Sequence, residues 1–259
     1  MVVLSAELGN EVMITGDLHG NRDNFALIVR IAALDQNPRR HLVLQEVCHG
    51  GPTYPESGGC MSHALLENVA ALKSQYPDRV HLLLGNHELA ELVDYPIQKN
   101  RRVLNLAFRI GLQQTYGLST ERIRESFCRF LKSCPLAIRL PGGVFVSHTI
   151  PEAVDTRGFD ISLLHRELRN EDYQGHSALF DLLWGRDYRP ENARAFAALV
   201  HARVLIQGHD PCRNGHKAPN NVQLILDCCS SPANYVLLPL EHQGDWTHAE
   251  VLSLVRSLG

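Results

Sequence analysis

Near residue 80 the sequence reads Val80-His81-Leu82-Leu83-Leu84-Gly85-Asn86-His87-Glu88. The apolar run predicts a buried strand, and the glycine predicts a sharp turn into a helical segment. This turn places Asn86 and His87 at the carboxyl end of the strand, where open α/β sheets bind ligands. An amide oxygen can bind a cation, and an imidazole can donate or accept a proton. Turn chemistry alone also explains an Asn-His pair, so a functional interpretation needs similar strand ends elsewhere.

Four more apolar runs end in side chains that can bind metals. Asp17 and His19 lie two positions apart after the run at residues 11–15, so an extended backbone directs both side chains to the same side. Together with the amide after the run at residue 80, the strand ends supply two carboxylates, one amide and three imidazoles. Such a set is sufficient for two neighbouring divalent cations with one bridging carboxylate. Its members are Asp17, His19, Glu46, Asn86, His148 and His209.

The composition is that of a chain able to fold as one large domain. It has 259 residues, of which 44% are hydrophobic, and no linker or repeat, so we predict a single domain over residues 1–259. A net charge of −3 argues against a nucleic-acid partner. The absence of a long apolar run and of a signal-peptide pattern predicts a cytoplasmic protein without a membrane partner. Seven cysteines without paired spacing predict reduced thiols.

Strand, loop and helix patterns alternate along the first half of the chain, which predicts an α/β fold with parallel strand pairing. A Gly-, Pro- and Ser-rich loop over residues 50–61 is long enough to form the rim of a site. Residues 136–147 predict a hairpin, and the tail over 247–258 is ambiguous between strand and helix. Ser62 is a candidate helix cap. The pattern predicts helices at residues 23–34, 62–76, 99–116, 120–132, 160–170, 176–184 and 191–201.

Several of these blocks resemble the signatures of calcineurin-like metallophosphoesterases, and in particular the phosphoprotein phosphatases and their bacterial relatives. The similar blocks are Gly16-Asp17-Leu18-His19-Gly20, Leu84-Gly85-Asn86-His87-Glu88, His148 after a strand, and Gly208-His209. The resemblance extends over about residues 11–240. It implies a four-layer α/β fold in which a central β-sandwich of two mixed sheets is flanked by helices, with the metals at the strand ends.

The resemblance also implies roles for individual residues. Asp17 and His19 would bind the first metal, and Glu46 would bridge the two metals. His87 would be the general acid that protonates the leaving oxygen, after in-line attack of a metal-bound hydroxide on phosphorus. The implied ligands of the second metal are Asn86, His148 and His209.

A further family block, which usually reads Gly-Asp-x-Val-Asp-Arg-Gly, corresponds here to Gln45-Glu46-Val47-Cys48-His49-Gly50-Gly51 and departs from the family pattern. Here Glu46 replaces the bridging Asp, and His49 replaces the Asp that usually orients the catalytic His. His49 can still exchange a hydrogen bond with the catalytic His, but it does not supply a fixed negative charge. Gly50 replaces the phosphate-binding Arg, so bidentate anion recognition is lost there. Arg186 is the first candidate to replace it.

Three functions therefore compete at the level of sequence. The leading hypothesis is a metal-dependent phosphatase acting on a phosphorylated protein (phosphoserine, phosphothreonine or phosphotyrosine) or on a small phosphoester. The alternatives are hydrolysis of nucleotides or dinucleoside polyphosphates, and a degenerate protein that binds phosphate without turnover. The expected cofactors are two divalent ions, with Mn²⁺ as the first choice and Fe or Zn as others, since mixed oxygen and nitrogen ligands select no single metal. The sequence does not predict an oligomeric state.

Overall fold

The computed structural model describes residues 1–259. Thirteen strands run along the chain: β1 (Val2–Val3), β2 (Glu11–Asp17), β3 (Arg40–Gln45), β4 (Val80–Leu83), β5 (Gln98–Lys99), β6 (Arg102–Val103), β7 (Ala137–Leu140), β8 (Val144–Ser147), β9 (Val204–Gln207), β10 (His216–Lys217), β11 (Gln223–Leu226), β12 (Asn234–Pro239) and β13 (Val255–Ser257). The α-helices are α1 (Arg22–Ala32), α2 (Ser62–Gln75), α3 (Asn86–Val93), α4 (Leu104–Tyr116), α5 (Thr120–Lys132), α6 (Val154–Arg157), α7 (Ala178–Trp184), α8 (Pro190–Leu199) and α9 (His248–Ser253).

The main strands form two mixed sheets. A five-stranded sheet has the order β13-β12-β2-β3-β4, in which β2, β3 and β4 are parallel and β12 is antiparallel to its neighbours. A six-stranded sheet has the order β1-β7-β8-β9-β11-β10, in which β8, β9 and β11 are parallel. The prediction of an α/β fold with two mixed sheets and flanking helices is confirmed.

Alternation of side chains along the strands explains why the two sheets stack. In β9, Val204 and Ile206 belong to a buried cluster of 18 residues shared by both sheets, whereas Leu205 belongs to a separate cluster of 43 residues that includes the helices. Strand β2 shows the same division, with Ile14 in the smaller cluster and Met13 in the larger one. Because successive side chains point to opposite faces of a strand, the smaller cluster is the interior of the sandwich and the larger one lies beneath the helices.

The two sheets meet at the carboxyl ends of β2 and β11. Asp17 forms a parallel bridge with Asp227, and the Cys228 amide donates to the Asp17 carbonyl oxygen at 2.9 Å. The predicted ligands lie at or just after the carboxyl ends of β2, β3, β4, β8 and β9. This junction therefore positions the candidate site.

Some local predictions were wrong. Residues 160–170 do not form a helix; two short 3₁₀ turns, Ile161–Leu164 and Asn170–Tyr173, occupy this region. The helix predicted over 99–116 begins only at Leu104, because β5 and β6 pair as a small hairpin before it. Ser62 does not cap α2: its hydroxyl accepts a hydrogen bond from the His49 amide at 3.0 Å instead. The ambiguous tail contains both a helix, α9, and a strand, β13.

The lengths and hydropathies of the helices also bear on membrane association. None of the helices is both long enough and apolar enough to cross a lipid bilayer.

Candidate metal centre

Seven of the nine predicted site residues converge at the junction of the two sheets. Their side chains come from the loops after β2, β3, β8 and β9 and from the first turn of α3, which follows β4 directly. Most of these side chains are buried, with exposures from 0% for His148 to 5% for Asp17. The converging residues are Asp17, His19, Glu46, Asn86, His87, His148 and His209.

Glu46 lies between two groups of nitrogen atoms. Its Oε2 is 3.3 Å from Nε2 of His19, and its Oε1 is 3.5 Å from Nε2 of His148. His19, Glu46 and His87 form one group of potential metal ligands, and Glu46, His148 and His209 form another. Each oxygen of one buried carboxylate therefore faces a different group, as a bridging ligand requires.

Asn86 adds an amide oxygen to the second group. This oxygen and one nitrogen each of His148 and His209 form a compact triangle. Asn86 Oδ1 is 2.9 Å from His148 Nε2 and 3.0 Å from His209 Nδ1, and the two nitrogens are 3.0 Å apart. An amide oxygen only accepts, and a neutral imidazole carries one N–H, so hydrogen bonds cannot satisfy all three contacts together. Ligands about 2.1 Å from an octahedral cation and at right angles to each other lie about 3 Å apart. The triangle therefore fits a divalent cation.

Asp17 provides a carboxylate that is only partly paired. Its Oδ2 accepts a hydrogen bond from the His209 amide at 2.7 Å, whereas its buried Oδ1 has no hydrogen-bond partner. Gly208 lies against this oxygen, and a Cβ atom at residue 208 would collide with it. An unpaired buried carboxylate oxygen is costly unless a cation binds it. These contacts fit the predicted role of Asp17 at the first metal.

The backbone of the site is strained at several predicted residues. His19, Glu46, His49 and His209 all have positive φ, with values of 42°, 32°, 61° and 68°. Non-glycine residues rarely adopt this conformation, and each such residue costs about 1–3 kcal/mol. In this structure, His19, Glu46 and His209 adopt this conformation one or two residues after their strands end, and their side chains lie in the ligand cluster. The surrounding hydrogen bonds must hold these residues in place.

Burial sets the protonation states in the cluster. It raises the pKa of Asp17 and of Glu46 well above their usual range, with further contributions from the neighbouring carboxylates Glu46 and Glu88, respectively. Burial also lowers the pKa of His148 well below its ordinary value and lowers the pKa of His209 to about 3. The two imidazoles are therefore neutral near pH 7, with lone pairs free to bind a cation.

His87 belongs to the first group of potential ligands and also contacts His49, another predicted site residue. Its backbone amide donates to Glu46 Oε1 at 2.9 Å, which links the helix α3 to the bridging carboxylate. Its Nδ1 is 2.8 Å from Nδ1 of His49. Burial, together with His19 and His49, lowers the pKa of His87 well below its ordinary value. The structure therefore places His87 at the edge of the cluster of potential metal ligands.

Arg186 lies at the rim and outside the ligand cluster. Its guanidinium forms an ion pair with Asp210 and approaches the His209 carbonyl oxygen at 3.3 Å, and half of its side chain is exposed. It lines a cleft of about 90 Å³ directly above the cluster, together with Lys99. Because Asp210 partly neutralises it, the prediction that Arg186 binds phosphate stays a prediction.

A larger cleft of about 340 Å³ opens beside His87. The rim loop contributes Thr53 and Cys60 to it, and the β5–β6 hairpin contributes Lys99 and Arg102. The positive charges of Lys99 and Arg102 favour groups that carry negative charge in this cleft.

Sequence reasoning missed three residues of this region. Asp227 follows the strand β11, and its carboxylate accepts hydrogen bonds from the Cys212 and Cys229 amides at 2.8 Å. The strand-end criterion that selected the other ligands would also have selected it. Glu91 lies four residues after His87 on α3, a spacing that places two side chains on one helix face. Lys99 has no local sequence signal, because only the hairpin brings it to the cleft.

The chain is similar in sequence to a known protein. The chain is 28% identical over 264 residues to a probable serine/threonine-protein phosphatase of Encephalitozoon cuniculi; the alignment covers 91% of this chain and 52% of the relative. The chain thus spans about half the length of this curated relative.

Solved structures share the fold at low sequence identity. A protein serine/threonine phosphatase from Saccharomyces cerevisiae with similarity to human phosphatase PP5 superimposes with a TM-score of 0.64 at 16% identity, covering 92% of this chain and 76% of that one. A cold-active protein-tyrosine phosphatase from a psychrophilic Shewanella species superimposes with a TM-score of 0.60 at 14% identity, covering 100% of this chain and 82% of that one.

The family itself follows from the sequence match. Residues 11–226 match the calcineurin-like phosphoesterase family, and this range includes β2 through β11 and the six metal ligands predicted from the sequence. The chain belongs to the calcineurin-like phosphoesterase family.

Proposed function

We propose that this chain is a phosphatase that uses two divalent metal ions to hydrolyse phosphomonoesters, with phosphoserine, phosphothreonine or phosphotyrosine in proteins as the substrate class. The observation that carries the proposal is the position of Glu46, whose two oxygens face two separate groups of ligands. Membership of the calcineurin-like phosphoesterase family supports the reaction class. The names of the similar phosphatases support the substrate class.

The residues divide between the two ions as follows. Asp17 and His19 would hold the first ion, Glu46 would be shared by both ions, and the triangle of Asn86, His148 and His209 would hold the second. When bound, the two ions activate water as a nucleophile and neutralise the charge on the phosphoryl oxygens. Mn²⁺ is the proposed metal, and Fe or Zn suit the same mixed oxygen and nitrogen ligands.

His87 donates a proton to the leaving oxygen in this proposal. It lies between the ligand cluster and the larger cleft, so an ester oxygen leaving toward the cleft passes its ring. Lys99 and Arg186 at the mouth of the smaller cleft attract the dianionic phosphate. The cytoplasmic location and the single domain over residues 1–259 remain predictions from the sequence.

The test is hydrolysis of para-nitrophenyl phosphate by metal-stripped protein that is titrated with Mn²⁺, Fe²⁺ or Zn²⁺. Saturable, metal-dependent turnover is expected, and Asp17→Asn is expected to lose at least about 100-fold in kcat. Binding of about two ions to the wild type, measured by calorimetry, provides a readout that does not depend on activity. Absence of turnover with every metal would contradict the proposal and favour a protein that only binds phosphate.

Hydrolysis of nucleotides or dinucleoside polyphosphates is the second candidate, because Lys99 and Arg102 place positive charge in the cleft beside His87. Turnover of phosphopeptides and of dinucleoside polyphosphates under identical conditions separates the two. A higher kcat/KM for phosphopeptides is expected, and a higher value for the dinucleotide would overturn the assignment of the substrate class.

A further inference from the structure

Three side chains, of which His49 and Glu91 are buried, form a continuous chain from helix α3 to the edge of the ligand cluster. Glu91 Oε1 is 2.7 Å from His49 Nε2, and His49 Nδ1 is 2.8 Å from His87 Nδ1. His49 is 1% exposed and Glu91 is 3% exposed. At the position where the family usually carries an orienting Asp, this chain therefore has a histidine with a carboxylate directly behind it.

The chemistry of these groups fixes the direction of the hydrogen bonds. A carboxylate only accepts, so His49 Nε2 carries a proton and donates it to Glu91. In the neutral imidazole the other nitrogen, Nδ1, is then an acceptor, and it receives the Nδ1–H of His87. The Nε2 of His87 is left free, and a dianionic phosphate ester bound beside it favours a second proton there, against the lowering of the His87 pKa by burial.

Neighbouring side chains hold the three residues in place. Asn105 Nδ2 donates to the same Glu91 oxygen at 2.9 Å, and Asn105 Oδ1 accepts from the Ile97 amide at 2.9 Å. Phe108 packs against the His49 ring edge-on, with the ring centroids 5.7 Å apart. With the His49 amide bound to Ser62, neither Glu91 nor His49 is free to rotate away.

We propose that Glu91 is a positioning residue that acts through His49 to orient His87 as a general acid, so that the pair Glu91–His49 replaces the Asp usual in this family. The proposal rests on the proposed phosphatase function. In the step concerned, the oxygen of the attacking water forms a bond to phosphorus, the P–O bond to the leaving group breaks, and the Nε2 proton of His87 moves to the departing oxygen. His87 keeps its Nδ1–H, which stays hydrogen-bonded to His49, and solvent later returns a proton to Nε2.

The dependence on the leaving group tests this role. Phenolate needs a proton when it leaves, whereas 2,4-dinitrophenolate leaves without one. In the metal-loaded enzyme, Glu91→Gln is expected to lower kcat for phenyl phosphate by about 100-fold and kcat for 2,4-dinitrophenyl phosphate by less than about threefold. KM for both substrates and the amount of bound metal are expected to be unchanged.

Glu121→Gln on the exposed face of α5 is the matched control and is expected to change neither rate. An equal loss for the two substrates would show a merely structural role for Glu91 and would overturn the proposal. Unchanged rates for both would overturn it as well.

A second measurement separates this proposal from the phosphatase function. Nitrogen-15 spectra of the histidine side chains in the metal-free wild type, assigned with His49→Gln, are expected to show His49 protonated at Nε2 and unprotonated at Nδ1. The opposite tautomer would overturn the proposal even if the enzyme is active. If no aryl phosphate is hydrolysed with any metal while the expected tautomer is seen, the phosphatase function and the proposed role in proton donation fail, and only the hydrogen-bond arrangement survives.

Discussion

Two histidines of this chain show that a shifted pKa does not by itself identify a functional residue. Burial is the main reason that the pKa is about 3 both for His209 and for His81. His209 faces Asn86 Oδ1 and a second imidazole at the sheet junction. His81 instead contacts His41 across neighbouring parallel strands, with Nε2 3.2 Å from Nδ1. The set of partners, and not the shift, therefore distinguishes the ligand from the structural residue.

The lowered pKa of His81 predicts how the stability of the fold changes in acid. Its pKa lies below the ordinary value of a histidine, so the unfolded chain binds the proton first, and stability is lost as the pH falls from about 6.5 to about 3. Replacing His81 with Gln removes this contribution. The free energy of unfolding of the variant is expected to fall less steeply in this window, by up to about 1.4 kcal/mol per pH unit.

Urea denaturation of metal-free protein at several pH values measures this slope. The exposed residue His165 offers the control His165→Gln, for which the slope of the wild type is expected. Parallel curves for His81→Gln and the wild type would show that His81 accepts its proton as readily in the folded protein as in the unfolded chain.

At the scale of elements, the parallel strands and the turns after them could be predicted from sequence, because each is an apolar run followed by polar ligands. Residues 160–170 could not be predicted, because distant contacts decide their conformation. The amino group of Met1 donates to the Leu164 carbonyl oxygen at 2.9 Å. In a helix, this oxygen would instead accept a hydrogen bond from the amide four residues later. The Asp160 carboxylate binds the Ser162 amide and closes a local turn that competes with a helix.

The β5–β6 hairpin was missed for a different reason. Its register pairs Lys99 with Arg102, so Asn100 and Arg101 form a two-residue loop, and both have positive φ. This is the geometry of a tight type I′ turn, in which Asn is common but Arg is not. The apolar periodicity of the following helix concealed the turn. The residues of the site that depend on this hairpin, such as Lys99, therefore could not be predicted.

The hairpin is expected to affect substrate affinity more than chemistry. Arg102 lines the larger cleft and not the smaller one above the ligands. Arg102→Gln is therefore expected to raise KM for an acidic phosphopeptide by up to about fivefold, with a smaller effect at high salt. KM for para-nitrophenyl phosphate is expected to stay within about twofold of the wild type.

Steady-state kinetics with both substrates measure this difference, and Arg129→Gln on an exposed part of α5 serves as the control. If the Arg102 variant raised both KM values equally, its side chain would support the shape of the site and would not attract the substrate.

At the scale of the whole molecule, the interior of the sandwich couples the two sheets. Leu224 on β11 and Leu238 on β12 belong to opposite sheets but to the same buried cluster, and their exposures are 0% and 1%. The Asp17–Asp227 bridge joins the sheets again at the site. Because neither sheet can bury its inner face alone, we expect them to unfold together.

Truncating either leucine tests this coupling. Leu224→Ala and Leu238→Ala are each expected to lower the free energy of unfolding by about 2–5 kcal/mol. Circular dichroism during urea denaturation is expected to show one transition for both variants. Leu118→Ala changes a fully exposed side chain and is expected to stay within about 0.5 kcal/mol of the wild type. Two separate transitions in either core variant would show that the sheets are independent units.

The junction of the two sheets also has a consequence for synthesis on the ribosome. The hydrogen bond between Asp17 and the His209 amide joins residues 192 positions apart. A nascent chain that has emerged only as far as β3 carries Asp17 and Glu46, but it still lacks His148 and His209. The predicted ligands can therefore come together only after residue 209 has been synthesised, and a chain that ends before β8 lacks both His148 and His209.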